Sequence, residues 1–142
     1  MLGRDAIAAR IPHTGRMVLL DRVLEWDAQS ISCGTRSHLD AHNPLRDPGG
    51  LPVWAGVEYA AQAAAVHGTL LAGAAPRRGY LALARDVRPH CERLDSIEGE
   101  LVVRVALVHA DPAGAIYDFE LTCATRVLLT GRATLMYAKD GA

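Results

Sequence analysis

Hydrophobic positions along this chain follow two patterns. In one stretch, from about Gly56 to Leu71, alanine and other small apolar residues occupy every face of the helical repeat, which predicts a helix buried all round rather than one with a solvent face. Elsewhere the apolar residues are β-branched or leucine-rich and come in runs of strand length. RMVLLDRVLEW and SISCGTRS predict two antiparallel strands joined at Asp27 to Gln29. Tyr80 to Val87, Leu101 to Ala110, Ala115 to Thr125 and Arg126 to Ala138 predict four more, with a hairpin turn over residues 111–114. In YDFELTC, Tyr117, Phe119, Leu121 and Cys123 share one face and Asp118, Glu120 and Thr122 the other, as in a half-exposed strand. A short helix is expected over Asp5 to Arg10, stopped by Pro12 and Gly15.

Between the second strand and the helix, residues 38–52 (HLDAHNPLRDPGGLP) hold three prolines and two glycines. That composition blocks regular structure and predicts a loop long enough to be suspected of function. Two strands, one long central helix and four strands give an α+β chain, an antiparallel sheet wrapped around the helix. With 142 residues, the chain is expected to form one domain over 1–142.

Composition narrows the functional classes. A formal net charge of −1 leaves no electrostatic footprint for nucleic acid, although all but one of the fifteen basic residues are arginine. Cys33, Cys91 and Cys123 are widely spaced, odd in number and fit no zinc pattern, so free thiols in a reducing cytoplasm are expected. The start MLGRDAIAAR lacks a signal-peptide run, and no stretch of about twenty uninterrupted apolar residues occurs, so a soluble cytoplasmic protein with no membrane association is expected. There is no Gly-rich phosphate loop with lysine and no Gly-x-Ser-x-Gly elbow.

One carboxylate interrupts the apolar helix: Glu58, with Gln62 four residues on. Acidic residues are favoured in the first turn of a helix, where Glu58 would only satisfy backbone donors. In an active site, apolar surroundings would instead keep its carboxyl group protonated and able to donate. Gln62 lies on the same face, able to meet Glu58 or a substrate, or simply to pack. His38 and His42 lie in the loop that should reach the helix start, and each is a candidate base. For His13 a structural hydrogen bond to the loop is favoured over catalysis. His67, nine positions after Glu58, is about 180° round the helix and should pack against the sheet or a partner. His90 and His109 are expected at the surface. His38, Asp40 and His42 alternate, but without a third partner no metal site is expected.

The chain resembles the hotdog-fold 3-hydroxyacyl-acyl carrier protein dehydratases, and more closely the aryl polyene-type (ApeP-like) branch. IPHTGRMVLLDRVLEW is similar to the family's opening motif, LPVWAGVEYAAQ to the start of its central helix with glutamate and glutamine four apart, LARDVRPHCERLDSIEGEL to the following strand and loop, and GRATLMYA to its last strand. One departure stands out. The family's His-Phe-Pro-Gly segment before the helix has DPGG here, which sets Asp47 against the catalytic histidine in one alignment and brings the slot near His42 and Asn43 in another.

The resemblance implies dehydration of 3-hydroxyacyl thioesters to trans-2-enoyl thioesters, in fatty-acid or polyene-type biosynthesis. Glu58 would be the acid and His42 or His38 the base. Backbone N–H groups of Gly56 and Val57 would face the thioester oxygen, and Trp54 and Gln62 would complete the substrate-binding set. It implies no cofactor beyond the phosphopantetheine arm of the acyl carrier protein, toward which Arg77, Arg78, Arg85, Arg88 and Arg93 would steer docking. Sites in this family lie at a dimer interface, so a homodimer or a heterodimer with another hotdog subunit is expected. The alternatives are a non-catalytic subunit partnering an active dehydratase, and a hotdog acyl thioesterase.

Overall fold

The computed structural model describes residues 2–73 and 79–137. Its elements are α1 (Arg4–Ala8), β1 (Arg22–Trp26), β2 (Ser30–Thr35), α2 (Gly56–Ala72), β3 (Gly79–Pro89), β4 (Leu101–Asp111), β5 (Gly114–Cys123) and β6 (Arg126–Tyr137), with short 3₁₀ turns at Gly15–Met17, Ser37–Leu39 and Val53–Ala55. The strands form one antiparallel sheet in the order β1-β2-β4-β5-β6-β3. The long helix α2 lies against β2, β3, β4, β5 and β6. This is the hotdog fold.

Local chemistry sets the turns. Asp27 Oδ1 accepts the N–H groups of Gln29 (2.8 Å) and Ser30 (2.9 Å), closing the β1–β2 hairpin, and Asp111 Oδ1 accepts those of Ala113 (2.7 Å) and Gly114 (3.1 Å) between β4 and β5. On β5, Tyr117, Phe119 and Leu121 are buried while Asp118 and Glu120 are exposed, as the period-2 pattern predicts.

The helix is buried as expected, since small side chains let the sheet come close. Gly56 shows the limit: a Cβ there would stand 2.6 Å from Leu129 Cδ2 and 2.8 Å from Leu121 Cδ2. His67 crosses the core from α2 to the sheet. Its Nε2 bonds the Asp27 carbonyl and its Nδ1 bonds Tyr117 Oη, both at 2.8 Å. A carbonyl only accepts, so Nε2 carries a proton; burial lowers the pKa of the ring and favours its neutral form.

The first predicted strand is shorter than its apolar run. Val18, Leu19 and Leu20 are buried but irregular, and β1 begins only at Arg22. Side chains take the backbone groups a ladder would have used: Leu19 N–H donates to Gln62 Oε1 (2.9 Å), and its carbonyl accepts from the hydroxyls of Thr35 and Ser37. The predicted Ala138 strand end and the arginines Arg77 and Arg78 lie outside the described residues.

Candidate functional site

Residues Val53–Ala55 form a 3₁₀ turn that runs into α2 without a side-chain cap. Glu58 lies in the first turn of α2. Its side chain lines a cavity of about 290 Å³ between α2 and the β3 edge of the sheet. Along α2 the wall continues through the small residues Ala61 and Ala65, opposite Leu81 of β3 and Leu135 of β6. Tyr80 stands at the exposed side. A narrow crevice extends the same face past Ala65 to Gly68 and Thr69, against Tyr137. Glu58 is therefore half-buried on a cavity wall, and the apolar enclosure expected for it is partial because it faces this opening rather than the core.

Pro12 and His13 line the same cavity. A structural hydrogen bond was the expectation for His13, yet its Nδ1 is shielded from solvent and has no hydrogen-bond partner among the described residues.

Gln62 does not meet Glu58 or open space. It is 1% exposed, and both ends of its amide are used on the opening segment: Oε1 accepts from Leu19 N–H (2.9 Å) and Nε2 donates to the Met17 carbonyl. Its part is to strap that segment to α2. Leu19 continues the network through Ser37, whose Oγ lies 2.8 Å from Tyr59 Oη, which in turn accepts from Asn43 Nδ2 (2.9 Å).

The loop histidines do not join Glu58 within the chain. His38 is fully buried, with Nε2 on the Ile97 carbonyl at 2.8 Å. Burial lowers its pKa, so it is a neutral core histidine with no access for substrate. His42 is exposed, on a turn where its backbone N–H bonds Asp40 Oδ1 (2.8 Å), and is not among the residues lining the Glu58 cavity. Asp40 is itself turned toward Arg16 (3.4 Å), so the His38, Asp40, His42 alternation does not converge.

Three expected substrate-binding residues do not line the Glu58 cavity. The close approach at Gly56 is made to Leu121 and Leu129, not to a ligand, and its N–H is taken by the Val53 carbonyl of the 3₁₀ turn. Val57 packs against the core. Trp54 is 53% exposed on the outer side of the turn and does not line the cavity.

A family model described as ApeP-like, ApeP dehydratase, matches residues 5–142. The chain belongs to this family. Among solved structures, the ApeP-like chain is similar to the dehydratase heterocomplex ApeI:P from Xenorhabdus doucetiae, at 25% identity over 94% of this chain and 91% of that one, with a TM-score of 0.83. It shares the fold with a mutant of the thioesterase PA1618 from Pseudomonas aeruginosa (15% identity, 82% and 80% covered, TM-score 0.61). It also shares it with S. sahachiroi AziG (13% identity, 87% and 93% covered, TM-score 0.63). No curated protein sequence matches the chain.

In this ApeP-like chain the segment that replaces His-Phe-Pro-Gly is a turn. Asp47 and Gly50 exchange backbone hydrogen bonds, and Asp47 Oδ1 accepts the Gly49 N–H (2.8 Å). Gly50 has φ +118, and a Cβ there would meet Asp95 Oδ2 at 2.6 Å; only glycine suits that position. Asp47 is thus an exposed turn former. Arg93 is engaged with the same turn, donating to the Gly49 carbonyl (2.6 Å) and pairing with Asp95 (3.5 Å), while Arg85 and Arg88 are exposed on β3. Among the described residues no helix is long and apolar enough to cross a membrane.

Proposed function

We propose that this chain dehydrates 3-hydroxyacyl thioesters, presented on the phosphopantetheine arm of an acyl carrier protein, to trans-2-enoyl thioesters in polyene-type or fatty-acid chain building, in the cytoplasm. The observation that carries the reading is Glu58 on the wall of an apolar cavity at the start of the buried helix. A carboxyl group beside an apolar trough suits an acyl substrate whose only polar atoms are near the thioester. From Glu58 to Gly68 the helix rises about 15 Å. The small residues Ala61 and Ala65 leave that face open to an acyl chain.

The cavity opens beside β3, an edge strand with Tyr80 and Leu83 more than half exposed. Pairing of this edge with a second hotdog subunit would cover both the strand and the opening. The ApeI:P structure, titled a dehydratase heterocomplex, favours a heterodimer over a homodimer for this chain. Arg85 and Arg88 on the same strand suit docking of an acidic carrier protein.

A second reading, a non-catalytic subunit of such a pair, is favoured by one observation: no histidine of the pre-helix loop lines the Glu58 cavity. Mass spectrometry of a 3-hydroxyacyl carrier protein incubated with the purified protein separates the readings. Loss of one water from the carrier-bound acyl group is the expected result. Release of a free acid would make the protein a thioesterase. An unchanged substrate from the chain alone, with full activity in its complex when Glu58 is replaced, would leave it a structural subunit.

A further inference from the structure

We infer that His13 is the catalytic base opposite Glu58, in place of a histidine from the pre-helix loop. The inference rests on the dehydratase reading of the cavity. His13 and Glu58 both line that cavity, and besides them its one titratable residue is the exposed Tyr80. A shielded ring nitrogen without a partner is unfavourable and uncommon in folded proteins. His38 Nδ1 shares that state in the core, so what sets His13 apart is its place on the cavity that Glu58 also lines.

The chain around His13 is built to hold the ring at this place. Pro12 ends any helical path from α1, and Gly15 at φ +58 turns the backbone where most side chains would be strained. On one side Thr69 Oγ1 donates to the Arg10 carbonyl (3.2 Å). On the other Gln62 grips Met17 and Leu19. Thr69, Gln62 and Glu58 all belong to α2. The helix that carries the acid therefore anchors the segment that carries the base on both flanks, so the two groups are fixed relative to one another. Arg4 adds a third tie, donating to the Gly15 carbonyl at 2.9 Å.

The chemistry balances with these two groups alone. Neutral His13 removes a proton from C2 of the thioester; the C–H electrons form the C2–C3 double bond as the C3–O bond breaks. The departing hydroxyl takes the proton of the Glu58 carboxylic acid and leaves as water. His13 is then cationic and Glu58 anionic, and return of one proton from the imidazole to the carboxylate restores the starting state.

Two measurements test this on the protein together with any hotdog subunit that accompanies it. In turnover of a 3-hydroxyacyl carrier protein, His13→Gln should lower kcat about a hundredfold or more with little change in KM, and exogenous imidazole should restore part of the rate to His13→Ala. Wild-type kcat in His13→Gln would overturn the assignment, as would a loss in His42→Ala that matched Glu58→Gln while His13→Gln stayed active. The second readout does not depend on turnover. NMR of labelled histidine should show the His13 ring signals shift when Glu58→Gln changes the group that shares its cavity. Unmoved His13 ring signals would overturn the pairing even in a protein that dehydrates. If wild type yields no enoyl product while the His13 ring signals do move, the dehydratase reading falls and the paired site stands.

Discussion

Two irregular segments reach the N-terminal half of α2, and they differ in what they do with their polar groups. In the pre-helix loop, apart from the solvent-facing His42 and the unpartnered His38 Nδ1 sealed in the core, the polar groups are consumed internally: His38 Nε2 on Ile97, Asn43 on Ser37 and Tyr59, Asp47 on its own turn, the Leu51 N–H on Asp95. In the opening segment the backbone is strapped to α2 by Gln62 and Thr69, while the one chemically versatile side chain, His13, lines the cavity. Satisfied polar groups hold a loop in shape. A titratable one held on a cavity wall marks where a substrate is expected.

The sharpest way to break this contrast is at the cavity itself. Glu58→Gln keeps the shape of the side chain and removes the transferable proton, so dehydration should fall about 10²–10⁴-fold with the thermal midpoint nearly unchanged. A rate close to that of wild type would remove Glu58 from the chemistry.

Next in size is a pair that separates the two segments. Gln62→Leu leaves the Leu19 N–H and Met17 carbonyl without their partners, at about 1–3 kcal/mol each, and should also lower kcat because it frees the segment bearing His13. Asn43→Ala also costs about 1–3 kcal/mol by stripping the Tyr59 hydroxyl and Ser37 carbonyl of a donor. Its kcat should hold. Denaturant melts beside steady-state kinetics decide it: equal kcat losses in both variants would erase the distinction.

A smaller effect is expected along the trough. Ala65 lines both the cavity and the crevice beyond it, so Ala65→Leu should lower kcat/KM for long acyl chains about tenfold more than for short ones. A uniform loss across chain lengths would mean that the acyl chain does not run along this face.

Much of this was legible in the residues. The all-apolar alanine pattern placed α2 to within one residue of its end at Ala72, and turn aspartates placed both hairpins. What the pattern missed was the fate of backbone groups over 18–20. An apolar run reads as strand, but whether its N–H and C=O groups meet a neighbouring strand or the side chains of Gln62, Thr35 and Ser37 depends on residues distant in sequence. The site was half legible for the same reason. Glu58 announced itself as a charge in an apolar helix, and Gln62 could be paired with it by spacing, but its amide turned toward Met17 and Leu19. His38 and His13 are indistinguishable as letters near a proline or a loop. Only the packing of Ile97 over one and the cavity beside the other tells them apart.

The two neutral core histidines supply the gentlest test. Burial lowers the pKa of both His38 and His67 from the ordinary 6.5. Above that value folded and unfolded chains are equally unprotonated at these positions, and stability does not depend on them. As pH falls below 6.5 the unfolded chain takes up protons that the folded chain refuses, so stability falls, by at most about 1.4 kcal/mol per pH unit for each histidine. Urea melts above, at and below that pH should therefore show a flat upper interval and a declining lower one, and His67→Gln should make the decline shallower by one proton's worth. A decline already complete above the ordinary histidine pKa, or one that His67→Gln leaves unchanged, would show that the buried ring between Asp27 and Tyr117 accepts its proton freely and is not the closed counterpart of the open His13.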